Sequence, residues 1–189
     1  MKTTEPIRNK HQVKQFISHY YKTGQIRNYV LATLCVHTAL RISDILALTC
    51  NQVYDFQAHR PYNSITIAEK KTGKVKTIAL HKNIITALKI YYRQATPNAP
   101  LILNPQTGKA ITRVQAYRLL RSAAEAIHLS QRVSCHSLRK TFGYHAWKGG
   151  VSPAVIMEIY NHSSLAVTRR YLGVSQDDKN AAYTGLNFG

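Results

Sequence analysis

His162-Ser-Ser-Leu-Ala-Val-Thr-Arg-Arg-Tyr171 is the stretch on which the reading of this chain turns. It gathers a histidine, two arginines and a tyrosine on one short segment of helical character. Cationic and imidazole groups can bind a phosphate, and a tyrosine hydroxyl can attack one, so Tyr171 is the candidate nucleophile. Taken alone, the same pattern also describes a packed surface helix carrying an aromatic residue. The segments upstream have to decide between the two.

Immediately before it, Ser152-Pro153 gives an N-cap followed by proline at the first helical position, which starts a helix through Tyr160. Asn161 ends that helix in a left-handed conformation, and His162 follows at once. Further back, Ser134-Cys-His-Ser-Leu-Arg-Lys-Thr-Phe-Gly-Tyr-His reads as a helix ending at Gly149-Gly150, with His136 and Arg139 three apart and therefore on one face. The helix before it begins with Thr112 as N-cap and Gln115 at capping-box spacing. On it Val114, Tyr117, Leu120, Ala124 and Ile127 are expected to face inward, leaving Arg113, Arg118 and Arg121 outward with Gln115 beside them. That set suits phosphates and base edges in a DNA major groove, and equally describes a solvated basic face.

Residues 96–109, with Pro97, Pro100, Pro105 and Gly108, read as loop with a short strand at Leu101-Ile-Leu, and residues 82–95 as a helix bearing Ile84, Ile85 and Leu88. The period changes before that. Asn63-Ser-Ile-Thr-Ile-Ala and Val75-Lys-Thr-Ile-Ala-Leu alternate on either side of Lys71-Thr-Gly-Lys, which predicts a β-hairpin. Its tip is crowded with Lys70, Lys71, Lys74 and Lys76; lysines there can follow a DNA groove or protect an edge from aggregation. Residues 38–48 form a junction and a new helix that Ser43 can cap, with Arg41 at the junction and Asp44 placed to orient it by a salt bridge. Ile26 to His37, apolar on most sides, predicts a central helix, and Val13, Phe16, Ile17 and Tyr20 place another over His11 to Tyr21. Residues up to about Lys10 form an irregular leader. The fold class expected is α+β, mainly α-helical, with a small antiparallel hairpin.

Charge limits the partners. Against 8 Asp and Glu stand 26 Lys and Arg, a formal +18, interleaved with core positions along the whole chain. Such an excess on a compact fold favours a polyanion such as nucleic acid, because neutralising phosphates releases condensed counterions. Solubility and acidic lipid are the competing explanations. The most apolar window, Tyr29 to Leu40, is too short to span a bilayer, and the first ten residues hold no signal-like apolar run, so a cytoplasmic location and no membrane are expected. Cys35, Cys50 and Cys135 are odd in number and widely spaced, which fits small buried apolar residues rather than a disulfide framework or zinc site.

Thr38-Ala-Leu-Arg-Ile-Ser-Asp, the Lys71-Thr-Gly-Lys hairpin, His136-Ser-Leu-Arg, Asn161-His-Ser-Ser and Arg170-Tyr-Leu-Gly, in that order and spacing, resemble the catalytic boxes of the tyrosine recombinase (phage integrase) family from about residue 10 to 175. The resemblance implies an integrase-type catalytic domain. Arg41 and Arg139 would bind the phosphate, Lys71 would be the hairpin lysine, His136 and His162 the two histidines, and Tyr171 the nucleophile. The hairpin lysine is assigned to Lys71 because it directly precedes Thr-Gly. Glycine is common in the family where Ala39 and Asn161 stand. Most members carry a helical domain ahead of the catalytic one; with Arg41 so early, no separate N-terminal core-binding domain is expected, as in compact members resembling the fimbrial phase-variation invertases or in a catalytic domain cut from a longer protein. Residues 1–175 then form one catalytic domain, and 176–189, with Tyr183, Leu186 and Phe188, a tail that docks on a neighbouring protomer or frays.

The chemistry asks for the same residue types. A phosphodiester repels nucleophiles, and two guanidiniums can grip its non-bridging oxygens and stabilise the charge of the transition state. A tyrosine hydroxyl needs a base, for which His136 is the candidate, and the 5′-oxygen leaving group needs a proton, for which Lys71 is the candidate acid. His162 would hydrogen-bond the phosphate. The bond energy is kept in a 3′-phosphotyrosyl link, and no carboxylate cluster suggests a metal, so no cofactor is expected. The implied activity is site-specific recombination of double-stranded DNA, by a homotetramer on two sites and with an accessory DNA-bending protein as a further partner. A type IB topoisomerase-like nicking-closing enzyme and a DNA-binding regulator that never cuts are the alternatives, and a hydrolase using Cys135 is disfavoured by its adjacency to His136.

Overall fold

In the computed structural model, which describes residues 4–174, 178, 180 and 183–185, the Asn9 side chain accepts hydrogen bonds from the N–H groups of His11 and Gln12 and so starts α1 (Lys10–Lys22). Phe16 and Tyr20 bury its inner face, and the Tyr20 hydroxyl donates to Leu119 O at 2.9 Å. α2 (Ile26–His37) is central, as its all-round apolar sequence predicts: Asn28 and the whole run Val30 to Val36 are buried. Against it packs α5 (Lys82–Tyr91) through Ile84, Ala87, Leu88 and Tyr91. α5 is shorter than the sequence suggests, because residues 92–94 tighten into a 3-10 turn.

Between these helices the chain makes α3 (Ile42–Ile45), α4 (Cys50–Val53) and three small antiparallel pairs: β1 (Tyr54–Asp55) with β2 (Arg60–Pro61), β3 (Ser64–Ala68) with β4 (Val75–Ala79), and β5 (Leu103–Asn104) with β6 (Lys109–Ala110). The strand expected at residues 101–103 therefore starts only at Leu103, and Leu101 and Ile102 are instead buried core. The junction before α3 also differs from expectation. Arg41, in extended conformation, is the N-cap residue, and Ser43 lies inside the helix without capping it. Short polar side chains bias toward caps, but here the backbone turns at the left-handed Ala39 (φ 56°), and the helix is entered two residues ahead of Ser43, with Arg41 at its cap position.

Pleat alternation in the β3–β4 hairpin buries Ile65 and Ile67, and Lys76 pairs in register with Ile67, which turns Lys76 to the inner face. Lys76 is thus separated from the other tip lysines.

α6 (Arg113–Ala126) starts in the expected capping box of Thr112 and Gln115. Its buried stripe is Ala116, Leu120, Ala123 and Ala124; Val114, expected to face inward, is 57% exposed, because the helix packs on the alanine side of that wheel. α7 (Cys135–Lys148), α8 (Pro153–Tyr160) and α9 (Leu165–Leu172) follow, capped by Ser134, Ser152 and Ser164. A second, smaller apolar cluster of Ala39, Ile156, Tyr160 and Leu172 joins α7, α8 and α9 beside the main core.

The leader is irregular as expected but packed. Ile7 is fully buried, its N–H donates to Thr141 Oγ1 at 2.9 Å, Lys140 Nζ donates to Thr4 O at 2.6 Å, and Arg8 reaches Gly173 O at 3.2 Å. Gly173, left-handed at φ 61°, ends α9 against Pro6. The leader therefore spans α7 and the end of the helix that carries Tyr171. Beyond it, Asp178 pairs with Lys148 and Tyr183 is 81% exposed, while Leu186 and Phe188 lie outside the described residues. No helix among the described residues is long and apolar enough to cross a membrane.

Candidate active site

Where the two apolar clusters meet, a cavity of about 600 Å³ opens, lined by Arg41, Lys70, Lys71, Arg113, His136, Arg139, His162 and Tyr171 among others. All six residues expected to act together reach it, from α3, the hairpin turn, α7, the Asn161–His162 corner and α9. Five of the lining side chains are cationic and none is a carboxylate, so the cavity is built to receive an anion.

Each side chain is placed by a local device. Ser134 caps α7, which sets His136 at the mouth and Arg139 one turn deeper. Arg139 is 3% exposed; its guanidinium donates to the carbonyls of Ala39 and Tyr160 and lies 4.6 Å over the Tyr160 ring. Burial, and then the nearby Arg41, lower its pKa from the ordinary guanidinium value, yet arginine remains charged. Ala39 and Asn161, the two positions where the family often has glycine, both adopt left-handed backbone (φ 56° and 52°). The turn at Ala39 presents its carbonyl to Arg139. The turn at Asn161 ends α8 so that the Tyr160 carbonyl faces both arginines, 2.9 Å from Arg139 and 3.5 Å from Arg41.

Tyr171 lies edge-on to both histidines, with ring centroids 4.8 Å from His136 and 4.5 Å from His162, and Lys140 sits 5.8 Å over its ring. His162 Nδ1 is 3.1 Å from the buried Thr168 hydroxyl on α9, which fixes the imidazole against the tyrosine helix. Burial, followed by the charges of Arg139, Arg41 and His136, pushes its pKa down to about 4. The pKa of His136 is also lowered, by burial and then by Lys140 and Arg139. Both imidazoles are therefore neutral near pH 7. Burial pushes the Cys135 thiol up to about 11, so the thiol is protonated at neutral pH and unsuited to nucleophilic attack.

The hairpin is tied down by a residue that sequence reasoning missed. Glu69, 1% exposed, accepts hydrogen bonds from Arg41 (2.9 Å), Lys76 (2.7 Å), Thr72 (2.8 Å) and Asn161 (3.1 Å). Burial alone would raise its pKa, but these donors outweigh it and hold the carboxyl at about 2. Glu69 is thus the acidic partner of Arg41. Asp44, expected in that role, instead accepts from the Lys70 backbone N–H at 3.0 Å. No sequence signal marks Glu69 beyond its being the one carboxylate beside four lysines.

The outward set on α6 divides. Arg113 lines the cavity, Gln115 is occupied in the cap, Arg121 pairs with Glu125 at 2.7 Å, and Arg118 lines a separate groove near Arg27.

Gly143, one turn after Arg139, explains how closely α7 and α8 approach. A Cβ there would lie 3.0 Å from the Tyr160 ring and overlap its hydroxyl, which donates to Arg139 O at 2.6 Å. Gly143→Ala is expected to destabilise the fold by about 1–3 kcal/mol and to displace Tyr160 from under Arg139. Tyr160→Phe in that background should recover part of the loss, as measured by urea denaturation of the single and double variants.

Guanidiniums lining one cavity beside a tyrosine and two neutral imidazoles are equipment for breaking and resealing a phosphodiester, and they put the molecule among the tyrosine recombinases. The chain belongs to the phage integrase family, which matches residues 8–177. It is 36% identical over 183 residues to the probable integrase/recombinase YoeC of Bacillus subtilis (strain 168), covering 97% of each chain. It is 26% identical to tyrosine recombinase XerA of Pyrococcus furiosus, covering 92% of this chain and 59% of the relative. Its fold matches a crystal structure of XerA recombinase (TM-score 0.78, 20% identity, 97% of this chain and 66% of that one) and one of XerH site-specific recombinase bound to palindromic difH substrate after cleavage (0.77, 21%, 97% and 54%). The chain thus spans nearly all of the Bacillus relative and roughly half to two-thirds of the other three.

Proposed function

We propose that this chain cleaves and rejoins double-stranded DNA at defined sites, with Tyr171 attacking the scissile phosphate. The observation that carries the reading is the convergence of Arg41, Lys71, His136, Arg139, His162 and Tyr171 in one cationic cavity. In this reading Arg41 and Arg139 exchange their carbonyl contacts for the non-bridging phosphate oxygens, in line with the rule that donors poised for developing charge lower the barrier most. Neutral His136 takes the tyrosine proton, neutral His162 donates a hydrogen bond to the phosphate, and Lys71 protonates the departing 5′-oxygen. Lys71 fits the acid role better than Lys76, whose ammonium is bound to Glu69. Bonds balance: a 3′-phosphotyrosine forms as the 5′ P–O bond breaks, and the reverse attack by a 5′-hydroxyl restores DNA and tyrosine.

The remaining expectations are consistent with this. Residues 1–175 form one catalytic unit acting in the cytoplasm, a homotetramer assembles on paired sites with the tail 176–189 docking between protomers, and an accessory protein bends the DNA. Arg113, Arg118 and Arg121 contact the backbone or bases while Gln115 holds the start of α6. Recombination between two cognate sites on one plasmid tests the reading; relaxation of plasmids lacking any such site would instead favour a nicking-closing enzyme. Because the His136 pKa is lowered, its neutral form persists as pH falls below 6.5. The second-order cleavage rate, which reports the free enzyme, should therefore stay level through pH 6.5, decline only below it, and lose that decline in His136→Gln, as read from single-turnover rates across pH.

A further inference from the structure

We infer that Glu69 is a positioning residue that sets Arg41 and the Lys71 turn on the same phosphate, an inference that rests on the strand-transfer reading above. Three segments of the cavity wall meet at its carboxylate. Arg41 reaches Oε2 from the start of α3, Thr72 and Asn161 reach the same oxygen from the hairpin turn and from the corner before His162, and Lys76 occupies Oε1 from β4. Asn161 also bridges to the turn directly, through Nδ2 to Thr72 Oγ1 at 3.2 Å and through Oδ1 from Lys74 Nζ at 3.0 Å. Two consequences follow from the bonding. One nitrogen of the Arg41 fork, NH1, is committed to Glu69, which fixes the plane of the guanidinium and leaves NH2, held only by a 3.5 Å contact with Tyr160 O, to turn to a phosphate. The inward lysine, Lys76, is neutralised, so the positive charge facing the cavity from this hairpin comes from Lys70 and Lys71, which line it.

Glu69 is absent from the lining of the cavity and does not touch the reacting atoms. Its charge therefore acts on DNA in the opposite sense to its geometry. A buried carboxylate behind the anion site weakens phosphate binding by repulsion, while the order it imposes speeds the chemical step. Removing it should separate the two. Glu69→Gln is expected to bind duplex DNA at least as tightly as the parent, by fluorescence anisotropy, and to form covalent adduct with a nicked suicide duplex about 10- to 100-fold more slowly, the usual penalty for a reacting group displaced by an ångström. Glu69→Ala should show the larger loss of rate, and Glu69→Asp a smaller one.

A residue that only holds the fold together would lower the yield of folded protein without changing the rate per folded molecule, and that outcome would overturn the inference, as would parallel losses of affinity and rate. Amide hydrogen exchange supplies a readout independent of activity. Glu69→Gln should speed exchange in peptides covering 69–76 and 160–163 while leaving α2 protected; unchanged exchange there sinks the positioning role. Absence of adduct from the parent protein would overturn the strand-transfer reading instead, and the exchange result would then decide whether Glu69 still organises the site.

Discussion

Tyr171→Phe is expected to bind duplex DNA like the parent protein and to form no SDS-stable adduct with a nicked suicide duplex, a fall in cleavage of about 10⁴-fold or more, as expected when a covalent nucleophile is removed. The substitution deletes one oxygen and leaves the ring that packs between His136, His162 and Tyr160. The fold should therefore be unharmed, and equal melting temperatures would show that the loss is chemical. Two other hydroxyl side chains lie beside His162: Thr168, an aliphatic alcohol 3.1 Å from its Nδ1, and Tyr160, whose ring centroid is 4.9 Å away. Tyr160, the nearest tyrosine, is buried with its hydroxyl donated to Arg139 O and its pKa raised by burial, so it is neither free nor readily ionised. Adduct at the parental rate in Tyr171→Phe would remove the basis for the mechanism.

Arg139→Ala should lower the single-turnover cleavage rate by roughly 10²–10³-fold, the range seen when one donor to a developing oxyanion is removed. It should also lower stability, unlike the tyrosine variant. Arg139 is 3% exposed, and its loss leaves the Ala39 carbonyl without its donor, the Tyr160 carbonyl with only the longer Arg41 contact, and the Tyr160 ring without its cation. Arg139→Lys separates the two effects. The ammonium keeps a charge near the phosphate but lacks the planar fork that grips two oxygens at once, so the rate should recover only in part. Chemical denaturation and adduct formation, measured on the same preparations, distinguish loss of fold from loss of transition-state stabilisation; a rate close to that of the parent in Arg139→Ala would show that this arginine is structural.

Much of this site was legible before the fold because its residues stand where sequence carries its strongest local signals. His136 and Arg139 follow a serine cap, His162 follows a left-handed helix end, and Lys71 opens a turn whose flanking strands alternate. What escaped depends on contacts remote in sequence. Glu69 meets Arg41 across 28 residues and Asn161 across 92, and nothing in its own neighbourhood distinguishes it from a solvated turn residue. Val114 reads as inward because two stripes of α6 are apolar, and only packing against α7 and α1 selects the alanine side. Pairs as short as β1–β2 and β5–β6, two residues per strand, carry no period to detect. Ile7, a single apolar residue in a polar leader, gave no hint that the leader would span α7 and the end of α9.

The most direct measurement is proteolysis and mass spectrometry of the protein–DNA adduct trapped on a nicked suicide duplex. The mechanism predicts one modified peptide, carrying nucleotide through a 3′-phosphate on Tyr171, with a free 5′-hydroxyl on the released strand. A linkage to any other residue, or to a 5′-phosphate, would contradict it.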